Sequence, residues 1–201
     1  MSTTRTTVRT HWVAVRAMLL FTLVLGVAYT LVITGIGQLA APAQANGSTV
    51  RDAEGEVVGS ALIGQSFSDA DGNALPEWFQ PRPSAAGDGY DGGASSGSNQ
   101  GPENADLIAA IDERHAAIAE ADGAAAHEVP ADAVTASASG LDPHISPDYA
   151  RLQVARVAAE RGLPEAEVAE LVQSFVQGRD LGYLGEETVN VLRLNLALAE
   201  L

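Results

Sequence analysis

The chain has no lysine and no cysteine among its 201 residues. Without cysteine it can form neither a disulfide nor a thiolate metal site. Without lysine it lacks the residue that a Walker A loop sets on its phosphates and that a protein kinase carries on its third strand. H-E-x-x-H is also missing, which excludes the usual metalloprotease layout. Aromatic residues are sparse at 5%, and 11 basic residues, all arginine, face 26 acids for a formal net charge of −15. Such an acidic surface disfavours nucleic acid or anionic lipid as a partner and suits a cation-rich exterior. If the chain takes part in ATP-driven work, the catalytic machinery belongs to another chain.

Charge itself is absent from Ala17 to Val50, and inside that interval lies an apolar run, Ala17 to Ile36. Twenty helical residues span roughly 30 Å, the thickness of a bilayer's hydrocarbon core. Its polar members Thr22, Tyr29, Thr30 and Thr34 have hydroxyls that can bond back to the helix backbone. Arg5, Arg9 and Arg16 precede the run with no acid among them, while the other eight arginines and every acid follow it. The expected organisation is a cytoplasmic basic tail (1–16), a transmembrane helix (17–38), a linker (39–52) and an exported domain (53–201). A cleaved secretory signal is the competing reading, since Ala41-Pro42-Ala43 and Ala43-Gln44-Ala45 both fit an A-x-A site. Against it, the apolar core exceeds the usual h-region length.

The exported part reads as an α+β domain of short strands and about three helices. Val57–Phe67 has strand composition, with Gly59 and Gly64 marking bends or close packing. In Trp78–Ala85, WFQPRPSA, two prolines hold Gln80 and Arg82 extended, so Arg82 is presented for a partner contact or an internal carboxylate. Residues 85–104 are Gly- and Ser-rich irregular chain whose backbone N–H groups could cradle an anion, a weak signal without lysine. Asn104 caps an expected helix to about Glu120, with Leu107, Ile111 and Ile118 on one side and Gly123 as its stop. Val134–Ala138 reads as a short strand or edge. Ser146-Pro147-Asp148 is a strong helix start, and Gly162 ends that helix. A further helix is expected from Pro164 to Gln177, then a turn over Gly182–Gly185. Leu192, Leu194, Leu196 and Leu198 alternate, which favours a C-terminal strand while leaving a Leu-rich helix open.

Asp142, His144 and Asp148 form the one set with metal-ligand chemistry, but a hydrogen-bonded turn explains the same residues. Two alternative functions therefore stand beside an accessory role. One is an anchored or secreted metal-dependent hydrolase, and the other a signal-cleaved module binding a cation or small ligand.

Three blocks together resemble the KdpC subunit family of the bacterial high-affinity potassium-transporting P-type ATPase. They are WFQPRPSA with ASSGSNQGPEN, then VTASASGLDPHIS with QVARVAAERG, and last GRDLGYLGEETVNVLRLNLAL. The resemblance runs from about Trp12 to Leu198, and SGLDPHISP is its most specific run. It implies a single-span membrane subunit with an extracytoplasmic domain, in a complex with a KdpA-like channel subunit, a KdpB-like P-type ATPase subunit and a small KdpF-like subunit. It further implies an accessory role: assembly, stabilisation, and modulation of ion entry or nucleotide affinity. ATP is used by the complex, and the family is commonly described as ATP-binding, which sits awkwardly with an exported, lysine-free chain. No catalytic or metal residue is expected here. Arg82, Ser84, Asn99, Gly101, Asp142 and His144 are the candidate structural or partner-contact positions. Ala138, where the family usually has Gly, is the one departure that bears on backbone geometry.

Overall fold

The structure, a computed structural model, describes residues 3–201, with side chains from residue 7 onward. Residues 1–2 of the expected basic tail lie outside the described residues, as does the Arg5 side chain. The chain divides into two compact units, residues 1–48 and 49–201.

The first unit is helical because nothing in it interrupts a helix. α1 (Thr3–Phe21) runs into a π-helical stretch (Thr22–Ala28) and then α2 (Tyr29–Ala40), ended by the non-helical backbone of Ala41. A short α3 (Pro42–Ala45) follows. Thr7–Ala40 is 34 residues of high hydropathy, the one described helix long and apolar enough to cross a membrane. At 1.5 Å per residue it is about 51 Å long, enough to reach both headgroup layers. Arg16 lies over the Trp12 ring at 5.6 Å, the aromatic–cation pairing that suits an interface. Thr30 donates its hydroxyl to Gly26 O at 2.9 Å, satisfying a polar group internally as an apolar surrounding demands.

The second unit is the α+β part, with short strands and several helices. A bulged antiparallel hairpin pairs β1 (Thr49–Arg51) with β2 (Val57–Ser60). Only these four residues of the expected 57–67 strand form one. α4 (Ala105–Asp122) starts on Asn104, whose side chain accepts from Asp106 N–H and Leu107 N–H, and stops at left-handed Gly123. The segment 134–138, read as strand, instead closes a short helix α5 (Ala131–Val134), with Thr135 Oγ1 donating back to Ala131 O. β3 (His144–Ile145) leads into α6 (Pro147–Leu152), capped by Ser146, and after a break at Gln153 into α7 (Val154–Arg161), ended by left-handed Gly162. α8 (Glu165–Ser174) is shorter than expected because Val176–Gln177 leaves it as strand β4. β5 (Thr188–Asn190) pairs with both β3 and β4, antiparallel, in the order β3-β5-β4.

The C-terminus corrects the alternation reading. Asn190 accepts from Arg193 N–H at 3.1 Å and starts helix α9 (Val191–Leu198). Val191, Leu194 and Leu198 recur at i, i+3, i+7 and are fully buried, whereas Leu196 is only half-buried. Helical spacing thus wins over the period-two pattern, because the face that meets the core is the helical one.

The core comprises Phe79, Ile145, Val157, Val168, Val172, Val189, Val191, Leu194 and Leu198 with smaller neighbours. Fully burying each large aliphatic or aromatic side chain contributes about 1.5–3 kcal/mol. Phe79 enters this core on a segment with no strand partner. Its N–H donates to Asn195 Oδ1 at 3.0 Å and its carbonyl accepts from Asn195 Nδ2 at 2.9 Å. Gln80 repeats the arrangement with Gln153, at 2.6 and 3.2 Å. Buried backbone groups require partners, and here two amide side chains supply them.

Asn195→Ala leaves both Phe79 backbone groups unpaired in the core, so we expect a loss of about 2–4 kcal/mol. Equilibrium urea unfolding of the detergent-solubilised full chain measures it. A loss below about 1 kcal/mol would show that the amide is not what holds the segment.

Candidate functional site

Of the six sequence-derived positions, the structure gathers four. Pro81 and Pro83 keep Arg82 and Ser84 on an extended strip that faces the 135–144 loop. Arg82 reaches across to Asp142 Oδ2 at 3.0 Å and to Thr135 O at 3.3 Å. The other carboxylate oxygen, Oδ1, accepts His144 N–H at 3.0 Å and lies 3.5 Å from His144 Nδ1. Asp142 is therefore a bridge between two segments 60 residues apart in sequence. Three of the four, Arg82, Asp142 and His144, open onto a cavity of ≈ 350 Å³ shared with Asp132, Glu186 and Glu187.

Ser84 is a junction of a different kind. Its hydroxyl donates to Gly140 O at 2.6 Å and accepts from Ala86 N–H at 3.1 Å and Tyr90 N–H at 2.8 Å. With the proton committed to a carbonyl and no imidazole or carboxylate against it among the described residues, it is not arranged as an activated nucleophile. Gly140 is held at φ +66°, and a Cβ there would sit 2.7 Å from both Ala86 N and Ser96 O. Both the backbone angle and the space require glycine. The neighbouring Ala138, in contrast, accommodates its methyl on backbone that is not left-handed.

Asn99 and Gly101 are not brought to this cluster. Asn99, in the left-handed region at φ +54°, bonds only within its own loop, to Gly97 O at 3.1 Å. Gly101 is exposed with open space where a Cβ would go, and its carbonyl accepts Asn104 N–H ahead of α4. Asp148, the third of the candidate metal ligands, pairs instead with Arg151 at 3.1 Å. Among the described residues no group of three or more His, Asp or Glu is placed to hold a metal.

Part of the Gly- and Ser-rich loop is committed to internal bonds. Gly93 N–H goes to Asp91 Oδ1, Ala94 N–H to Asp91 O, and Ser96 N–H to Ser139 O. These three amides are already bound, and the Asp91 carboxylate beside them disfavours an anion there.

Several residues escaped the sequence reading. Tyr90 donates its hydroxyl to Arg82 O at 2.8 Å, and its phenol is pushed up by burial and by the Asp142 charge, with Arg82 opposing. Arg156 pairs with Asp122 at 2.7 Å and also donates to Pro76 O and Trp78 O. Arg161 stacks on Trp78 at 4.1 Å and donates to Glu77 O. A polar residue among apolar ones, Asn195 on α9 and Gln153 at the α6–α7 break, was the signal available for the amide pairs.

Burial tends to raise the Asp142 carboxyl, but hydrogen bonds from the His144 ring and backbone, with the Arg82 charge, outweigh it and hold it below the usual carboxylate range. A depressed carboxyl stabilises the fold above its ordinary range, near pH 4, and loses that contribution as pH falls through the lowered folded value. Asp142→Asn should therefore be less stable than the parent at neutral pH, with the gap closing as pH drops below about 4; unfolding midpoints across pH test this. Gly140→Ala should cost about 3 kcal/mol, whereas Gly162→Ala, with left-handed φ but open space, should cost about 1 kcal/mol. Equal losses at the two positions would mean that the close packing at Gly140 yields.

Residues 11–200 match the family model described as KdpC: K+-transporting ATPase, c chain. The chain is 57% identical over 181 residues to a potassium-transporting ATPase KdpC subunit of Kineococcus radiotolerans, covering 90% of this chain and 88% of the relative. It is 56% identical over 186 residues to that of Caulobacter vibrioides, covering 92% and 90%. For the Mycobacterium bovis subunit the figure is 49% over 189 residues, covering 94% and 96%. With one apolar N-terminal helix, an α+β unit and a match over almost its full length, the chain belongs to the KdpC family, the c chain of the K+-transporting ATPase.

Proposed function

We propose that this chain is the single-span accessory subunit of a potassium import complex. It assembles and stabilises the complex between a KdpA-like channel subunit and a KdpB-like P-type ATPase subunit, with a small KdpF-like subunit alongside. The family match over residues 11–200 carries the reading. The arginines ahead of the apolar helix, with all acids behind it, favour a cytoplasmic N-terminus and residues 53–201 outside the cell membrane. In this reading Arg82, Ser84, Asp142 and His144 brace the exported domain's loops, and Asn99 and Gly101 lie on the exposed rim that partners can reach. Potassium passage and ATP hydrolysis belong to the partners; this chain's share is docking, through which it modulates ion entry. An effect on nucleotide affinity gains no support from the loop amides described above.

One exposed element suits docking. Residues 179–186 form a tight turn closed by Asp180 N–H on Leu184 O and by an Arg179–Glu186 pair at 2.7 Å. It displays Leu181, at φ +53°, with Tyr183 and Leu184, all exposed. Exposed apolar side chains on an ordered turn gain free energy when a partner covers them.

Solubilised membranes purified through a tag on this chain should yield a channel-like and a P-type partner; recovery of neither sinks the reading. Leu181→Asp with Tyr183→Asp should lower partner recovery at least about tenfold, the effect of about 1.4 kcal/mol, without changing the chain's own unfolding midpoint.

A further inference from the structure

Two cavities, of ≈ 410 and ≈ 290 Å³, lie between the 66–90 segment and α4. They share Ala74, Gln80, Ala117, Ile118 and Tyr149 in their walls, so they are two lobes of one cleft. Together they reach the size range of small-molecule sites. We propose that this cleft binds a small organic monocarboxylate, its charge on Arg114 in the first lobe and its apolar body in the second.

The charge count supports one negative group and no more. Arg156 is matched by Asp122 at 2.7 Å, and Arg82 by Asp142 at 3.0 Å. Arg114 donates to Val134 O at 2.9 Å and has no carboxylate within salt-bridge distance among the described residues. In a chain of net charge −15, an arginine in a cavity wall without an acid partner is an unmet demand for an anion. A polyphosphate would bring several charges to a cleft whose net charge is about one and which has Asp122 in its wall.

The polar groups around the cleft are also incompletely used. Tyr149 is 4% exposed and lines both lobes. Its backbone N–H is bound to Ser146, but its hydroxyl has no hydrogen bond among the described residues. Arg82 Nε is buried and has no hydrogen-bond partner among the described residues, a rare and costly state. The Tyr149 hydroxyl is not sealed from the cleft, and a carboxylate between Arg114 and Tyr149 would give it an acceptor. The second lobe, with Pro76, Ala117, Ile118 and Ala121, offers apolar wall for a ring or short branched chain. α4 contributes no fully buried residue to the core and rests through half-buried Ile111 and Ile118, so this wall can adjust to an occupant at small cost.

The proposal does not depend on the subunit reading, since its failure leaves partner recovery untouched. Titrating the purified full chain in detergent with benzoate, acetate and phenylphosphate, followed by calorimetry, tests it. Benzoate should bind at least tenfold more tightly than acetate, and more tightly than phenylphosphate. Arg114→Gln should weaken benzoate at least tenfold. Ala117→Leu, at an exposed position that tolerates the larger side chain, should fill the cleft and abolish the preference for benzoate over acetate. This second variant decides the matter if Arg114→Gln does not fold. Absence of benzoate binding, equal binding of benzoate and acetate, tighter phenylphosphate, or benzoate affinity unchanged in the folded variants would each overturn the assignment.

Discussion

The second unit depends on one unusual solution to a common problem, an extended segment that crosses the core without joining a sheet. Phe79 is fully buried, so the backbone around it needs hydrogen-bond partners that neither water nor a neighbouring strand provides. Asn195 on α9 and Gln153 between α6 and α7 each offer both a donor and an acceptor, and each closes a two-bond ring with one residue of the segment. Arg156 and Arg161 extend the stitching to Pro76, Glu77 and Trp78. A side-chain amide has the same donor–acceptor pair as a peptide group, so it can stand in for a strand edge. Two helices and the segment are thereby tied into one core.

Position follows from that tie. With Phe79 and Gln80 fixed, Pro81 and Pro83 carry Arg82 and Ser84 outward, where they meet Asp142 and Gly140 on the facing loop. The loop between Ser137 and Ser146 is in turn packed so closely at Gly140 and Gly64 that it has little room for another side chain. Ionic and hydrogen-bonded contacts here set geometry more than they add stability, because partly exposed pairs are weak.

The long apolar helix and the α+β unit answer to different solvents. In the first, the Thr30 hydroxyl is turned back on the helix, to Gly26 O. In the second, acids crowd a surface that faces water, and the few exposed apolar residues gather at places such as the 179–186 turn. The lysine-free composition is consistent across both: arginine serves where planar, forked donors bridge backbone carbonyls and carboxylates at once.

Much of this was legible from residue order. The uncharged run between Arg16 and Arg51, the Asn104 and Ser146 caps, and the Gly123 and Gly162 stops are local signals, and local backbone chemistry decides them. The motif blocks likewise identified the family before any contact was known. What the order of residues left undecided depends on which face meets the core. The C-terminal leucines fit alternation as well as a helix until Asn190 capped one and burial chose Val191, Leu194 and Leu198. Residues 134–138 read as strand because β-branched content is only a prior that tertiary packing overrides. Asn195 and Gln153 stood out only as polar residues among apolar ones, and their partners, 116 and 73 residues away, could not be read from order alone. The sequence by itself determined the apolar helix, the Asn104 and Ser146 helix starts, the Gly123 and Gly162 stops and the family, since those rest on composition and near neighbours. Only the tertiary structure decided how Arg82 finds Asp142 and how Phe79 is sealed into the core, because long-range pairing is set by packing and by the need to satisfy every buried polar group.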